Sequence, residues 1–227
     1  MTGTLYGLGV GPGDPELVTL KALRILRACP VIAYLAANES DSFARSIVAE
    51  HLPGGQTELA IRIDMSAPAS DGQAIYDRAA EELAVHLASG RDVAVPCEGD
   101  PFFYGSFQYL FTRLAGRFPV RVVPGVSSLT ATAAAVPVPL TSRNDVLTVL
   151  PAPLDAAVLK ARLAVADAAA VMKLGRHFDK VRAVIDELGL TARALYVERA
   201  GLPEQRVLPL AEVRPPVPYF SMILVPR

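Results

Sequence analysis

The sequence predicts an α/β fold built from two α/β domains. Three observations predict it. Short apolar β candidates alternate with longer helical segments along most of the chain. Several β candidates run straight into turns rich in glycine and proline. A proline run, V-P-V-P-L at 136–140, interrupts the alternation before it resumes. Such alternation gives a largely parallel sheet covered by helices. We place the domain division at 118/119, within a window of 116–124, with the proline run as the other position open to it. The expected domains are 1–118 and 119–227.

Bulk properties narrow the function. With 227 residues, 52 % hydrophobic and 20 % charged, the chain has ample material for a core. A formal net charge of -1 offers no broad field for a polyanion, so nucleic acid is not an expected partner. Cys29 and Cys97 form neither a metal spacing nor a disulfide framework, and the three histidines are scattered. No metal site is expected, and a reducing cytoplasm is the simplest setting. The N-terminal stretch lacks a basic start and reads as a strand, and Pro, Arg or Asp interrupts each apolar window. No membrane partner is expected.

In chain order, a strand over Thr4–Val10 ends in G-V-G-P-G-D-P at 9–15. Asp14 is a suitable N-cap and Pro15 suits the first helical turn, so a helix is expected from Glu16 toward Pro30. A strand follows at Val31–Leu35, then a helix over Ser42–His51 and a strand at Leu59–Ile63. From Asp71 a long helix places Ile75, Ala79, Leu83 and Leu87 on one face. Next comes the strand Asp92–Pro96, which leads into C-E-G-D-P-F-F-Y-G-S-F-Q-Y-L at 97–110. In that turn Gly105 leaves room for a ligand to approach the main chain. A helix over Phe107–Leu114 and a strand over Val120–Val123 precede P-G-V-S-S at 124–128.

Beyond the proline run the pattern gives strand Val146–Leu150, helix Leu154–Ala166, strand Ala168–Lys173 and helix Phe178–Leu188. Strands at Ala194–Val197, Arg206–Pro209 and Tyr219–Val225 close the chain without intervening helices, which suggests an antiparallel edge in the second domain.

The glycines at 7, 9, 11 and 13 invite a dinucleotide reading. Pro12 and Pro15 remove N–H donors that a pyrophosphate cradle uses, and no acidic residue ends the second strand. A nicotinamide dehydrogenase is therefore disfavoured. A Walker loop fails for want of Gly-Lys-Ser or Gly-Lys-Thr.

Four stretches taken together carry a resemblance: G-x-G-P-G-D-P-E-L-x-T-L-K-A near the start, E-G-D-P-F-F-Y-G-S, V-P-G-V-S-S, and M-K-L-G-R with E-R-A-G. In order and spacing the set resembles the tetrapyrrole (corrin/porphyrin) methyltransferase family over essentially the whole chain. Within it, E-G-D-P-F-F-Y-G-S-F with M-K at 172–173 and E-R-A at 198–200 is most similar to the branch that methylates carbon 20 of precorrin-2 to give precorrin-3A. The resemblance implies two α/β domains with a cofactor cleft between them, distinct from the Rossmann-type methyltransferases. It also implies S-adenosyl-L-methionine as cofactor, S-adenosyl-L-homocysteine as product, a tetrapyrrole substrate and a homodimer.

Carried over by residue, the resemblance assigns the cofactor to Pro12, Gly99, Asp100, Phe103, Gly105, Ser106, Ser127, Ser128, Leu174, Ala200, Ser221 and Met222. A substrate ringed with carboxylates would need local cations, and Lys21, Arg62, Arg143, Lys173 and Arg176 are the candidates. Methyl transfer to an electron-rich carbon needs proximity and orientation more than a nucleophile, so no catalytic residue is assigned. Glu98, Tyr104 and Asp100 are candidates for a general base by position alone. Alternatives are another corrin carbon, the cobalt-chelated substrate, methylation of a translation factor or RNA, and a non-catalytic tetrapyrrole carrier.

Overall fold

The computed structural model describes residues 1–37, 42–63 and 69–227, which divide into two units, Met1–Ser127 and Ser128–Arg227. In the first unit, β1 (Leu5–Gly9) is followed by a 3-10 turn at Pro15–Leu17 and α1 (Leu20–Ala28). Next come β2 (Val31–Ala37), α2 (Phe43–Ile47), a 3-10 turn at Ala49–His51, and β3 (Thr57–Ile63). The unit ends with α3 (Ala69–Ala88), β4 (Val93–Cys97), α4 (Phe107–Leu114) and β5 (Val120–Val123). Its sheet has the order β3-β2-β4-β1-β5, and every pair is parallel. All five residues of β4 are buried, as expected of a strand covered on both faces.

Alternate residues serve the two layers. Val93 and Val95 join Leu5, Leu83, Leu87, Phe107, Leu110 and Leu114 under α3 and α4. Ala94 joins Leu8, Val10, Ile32, Ala22 and Leu26 under α1 and α2. The helices that follow β1 and β4 thus leave toward opposite faces of adjacent strands. The carboxyl ends of β1 and β4 are a switch point, where ligands bind in open α/β sheets.

The helix expected from Glu16 is divided. The Asp14 carboxylate accepts from Glu16 N–H at 2.8 Å and caps the 3-10 turn. The Thr19 hydroxyl oxygen accepts from Ala22 N–H at 3.2 Å and starts α1 afresh. Two capping residues so close together end one turn and begin another.

The second unit comprises α5 (Ser128–Ala135), β6 (Leu147–Pro151), α6 (Ala156–Leu163), β7 (Ala168–Met172) and a 3-10 turn at Gly175–His177. Then come α7 (Phe178–Glu187), a 3-10 turn at Thr191–Arg193, β8 (Leu195–Glu198), β9 (Arg206–Pro209) and β10 (Ser221–Val225). Its sheet runs β6-β7-β10-β8-β9. Leu150, Val171, Tyr196 and Ile223 pack with Leu159, Leu163, Phe178, Val181 and Ile185 beneath α6 and α7.

One boundary differs from the expectation. The division falls at 127/128, beyond the expected 118/119, because β5 pairs with β1 through Leu5↔Val120 and so completes the first sheet. The closing strands form the expected antiparallel edge: β10, β8 and β9 make one end of the second sheet, with β10 joining it to β7, antiparallel to both β7 and β8.

Candidate functional site

In the first unit the site residues gather where β1, β4 and β5 end. Three backbone hydrogen bonds join the first two turns: Val10 N–H to Cys97 C=O at 2.9 Å, Gly11 N–H to Gly99 C=O at 3.4 Å, and Gly99 N–H to Gly11 C=O at 2.7 Å. Gly99 sits at φ +62°, a conformation that glycine adopts without penalty. Buried Pro12 follows directly on the Gly11–Gly99 bridge.

Asp100 ties in the third turn. Its Oδ1 accepts from Phe102 N–H at 2.9 Å and Phe103 N–H at 3.2 Å, while its Oδ2 accepts from Gly125 N–H at 3.0 Å. The carboxylate therefore closes its own turn and clamps the loop after β5, two residues ahead of Ser127. At Gly125 there is no room for a side chain, since a Cβ would stand 2.0 Å from the Gly99 carbonyl oxygen.

Phe103 and Ser106 are half-buried, and the Phe103 ring meets Tyr104 edge-on at 5.2 Å. Gly105 has a local reason to be glycine: a Cβ there would lie 2.5 Å from the Pro101 carbonyl oxygen. The turn's own closure, rather than room for a ligand, excludes the side chain. Ser127 and Ser128 are half-buried, with Ser128 the first residue of α5.

Glu98 occupies the step between β4 and this turn. Its edge is open to solvent, yet protein crowds around it, and desolvation raises its carboxyl to about 7. That value suits a group that takes up or releases a proton near neutrality. Burial also pushes the Cys29 thiol up to about 12 and raises Cys97. Neither thiol has nucleophilic character.

In the second unit the remaining residues meet at one end of the sheet. Strand β10 is antiparallel to β7 and β8, so its first residues stand beside the last residues of both. Met222 pairs with Met172 and Val197, and Ser221 pairs with Glu198. Leu174 and Ala200 follow in the adjoining turns, each between two left-handed residues. Lys173 (φ +62°) and Gly175 (φ +41°) flank Leu174, and Arg199 (φ +52°) and Gly201 (φ +82°) flank Ala200. Left-handed lysine and arginine are strained, and here they turn the main chain out of the ladder as it leaves the sheet. Small or aliphatic residues on such bulges suit an adenosine, which is held by main-chain groups beside small side chains.

Ser221 and Met222 are buried, and the Ser221 hydroxyl donates to Pro218 C=O at 2.5 Å. Beside them the Tyr196 hydroxyl donates to Glu198 Oε2 at 2.5 Å, and Arg206 reaches the other carboxylate oxygen at 3.2 Å.

Of the candidate cations, Lys173 and exposed Arg176 share the loop after β7. Burial, then Lys180 and Arg176, hold the neighbouring His177 below its usual value. Arg143 precedes β6, which is parallel to β7 from Leu147↔Ala168 to Pro151↔Met172, so it lies at the opposite end of that sheet. Arg62 is exposed near the end of the edge strand β3, and Lys21 is exposed in the first turn of α1. Arg199 was not among the sequence candidates. Its signal was present in E-R-A-G, but nothing local showed that it flanks the head of β10.

Comparison with known proteins decides the family. Residues 4–214 match the profile of Tetrapyrrole (Corrin/Porphyrin) Methylases. The chain belongs to the tetrapyrrole methylase family. Over 233 residues and 99 % of its length it is 46 % identical to the cobalamin biosynthesis protein CobIJ of Mycobacterium tuberculosis, of which it spans 46 %. It thus covers about half the length of that relative. It is 41 % identical over the same share to a precorrin-2 C(20)-methyltransferase of a Sinorhizobium species, covering 95 % of that protein. Identity to the cobalt-precorrin-2 C(20)-methyltransferase of Salmonella typhimurium is 34 %, with 99 % and 97 % covered. The fold matches a uroporphyrin-III C-methyl transferase from Thermus thermophilus complexed with S-adenyl homocysteine, with a TM-score of 0.69 and 26 % identity, covering 99 % of this tetrapyrrole methylase and 92 % of that chain. Among the described residues, no helix is long and apolar enough to cross a membrane.

Proposed function

We propose that this tetrapyrrole methylase transfers a methyl group from S-adenosylmethionine to carbon 20 of precorrin-2 during construction of the corrin ring. The observation that carries the reading is the 41 % identity to the precorrin-2 C(20)-methyltransferase from Sinorhizobium, which runs through nearly all of both chains.

The cofactor supplies an electrophilic sulfonium methyl; the chain's own residues bind, orient and manage the proton. Leu174, Ala200, Ser221 and Met222 are suited to the adenosine by their small or aliphatic side chains on turned-out backbone. In the first unit the bridged turns of Gly99–Ser106 and Ser127 present polar main chain and a hydroxyl of the kind a polar ligand uses. Orientation of this kind can lower a barrier by about 7–11 kcal/mol at its extreme. Replacing a meso hydrogen by methyl releases a proton, and Glu98 is the carboxylate whose surroundings suit its uptake. A homodimer and a cytoplasmic setting belong to the same proposal, and light scattering on purified protein tests the first.

Labelled S-adenosylmethionine with enzymatically generated precorrin-2 tests the reaction, with the cobalt-chelated substrate run in parallel. Label at carbon 20 of the metal-free ring is the expected result. Preference for the cobalt form would move the chain to the branch of its Salmonella relative, and no label in any tetrapyrrole would remove the activity.

A further inference from the structure

The approach to β10 carries two exposed aromatic rings. Tyr219 and Phe220 are 50 % and 42 % exposed, whereas every residue of β10 after them is buried. Their rings meet edge-on with centroids 5.5 Å apart and planes at 76°. One neighbouring turn bonds to this pair and the other lies beside it. Arg199 N–H donates to Phe220 C=O at 2.8 Å. On the other side Gly175 lies beside Tyr219, where a Cβ would stand in ordinary van der Waals contact, 3.6 Å from Tyr219 Cα. The aromatic pair therefore sits between the loop after β7, which bears Lys173 and Arg176, and the turn after β8, which bears Arg199. Arg176 and Arg199 are exposed. Apolar ring surface between two turns that carry exposed arginines is complementary to a ligand that is flat, apolar across its face and anionic at its rim.

We propose that Tyr219 and Phe220 form a shelf for the face of the tetrapyrrole, with Arg199 and Arg176 placed to receive its peripheral carboxylates. This rests on the tetrapyrrole reading above and adds to it the residues that select the substrate. Adenine would also stack on an aromatic ring, but it carries no anionic rim to answer the two arginines.

The test uses the full chain, with uroporphyrin III as a stable flat polycarboxylate probe and S-adenosyl-L-homocysteine as the cofactor probe. The Tyr219→Ala/Phe220→Ala double variant should bind uroporphyrin at least tenfold more weakly. Its affinity for S-adenosyl-L-homocysteine should stay within about twofold of the parent, since 1.4 kcal/mol separates each tenfold step. With precorrin-2, KM should rise while kcat is retained. Arg199→Gln should weaken uroporphyrin in the same direction, with a smaller dependence on salt than the parent. Phe220→Leu keeps apolar bulk without the ring, so the measurement survives if the alanine variant fails to fold. Unchanged uroporphyrin binding in the double variant, or lost S-adenosyl-L-homocysteine binding with tetrapyrrole binding intact, would overturn the shelf alone. A parent chain that binds S-adenosyl-L-homocysteine but no tetrapyrrole would overturn the functional reading and the shelf with it.

Discussion

Replacing Asp100 by asparagine separates a clamp from a ligand contact. The carboxylate holds three backbone N–H groups, at 2.9 and 3.2 Å through one oxygen and at 3.0 Å through the other. In Asp100→Asn the amide oxygen can keep Phe102 and Phe103, leaving the amide nitrogen to face the Gly125 N–H, donor against donor. The variant thus loses one hydrogen bond to a charged acceptor, worth about 1.5–3 kcal/mol. Asp100 is half-buried, so we expect a loss near ~2 kcal/mol. For a chain of this size that corresponds to a fall in Tm of roughly 4–8 °C. Thermal unfolding gives the stability, and calorimetric titration with S-adenosyl-L-homocysteine gives the site. A clamp predicts the full drop in Tm with less than about a tenfold loss of affinity. An unchanged Tm with affinity lost would mean that Asp100 acts on the ligand directly, and the clamp would be refuted.

Two further outcomes follow from the same corner of the sheet. Gly125→Ala forces a Cβ to within 2.0 Å of the Gly99 carbonyl oxygen, so the loop after β5 must shift. It should be less stable than Asp100→Asn, and equal or greater stability in urea unfolding would contradict the close approach. Glu98→Gln tests the raised carboxyl. Because the folded value is about 7 against an ordinary 4.5, the unfolded chain ionises first and stability falls as pH rises through that window. The glutamine variant should match the parent below pH 4.5 and exceed it above pH 7. Its methyl-transfer rate should also lose the limb near pH 7; a parent-like pH profile would exclude Glu98 as proton acceptor.

Where neighbouring residues decide structure, the sequence was readable. The span Phe107–Leu114 forms a helix between a glycine turn and a loop, as its apolar spacing predicts, and Arg206–Pro209 forms a strand. The division between units was not readable locally, because the pairing of Val120 with Leu5 joins residues far apart in sequence. The antiparallel edge was readable from the closing strands, but not that β10 would enter between β7 and β8. Within the candidate site, the motifs marked the turns but not the local work of each residue. Asp100 had both a capping and a cofactor reading, and the structure gives its two oxygens to backbone. Gly105 suggested ligand approach, whereas its neighbours are the Asp100 and Pro101 carbonyls. The Tyr219–Phe220 shelf was hidden because aromatic residues ahead of a strand normally continue into it.

The position of β10 also sets an order of assembly on the ribosome. Strands β6 and β7 emerge as one pair and β8 and β9 as another, and neither pair bonds to the other. Only when residues 221–225 leave the exit tunnel do the halves acquire the strand that joins them. Ser221 and Met222 arrive with that strand, so the second unit completes its sheet in a single late event. A nascent chain stalled earlier presents two open strand edges, which are templates for pairing with other chains.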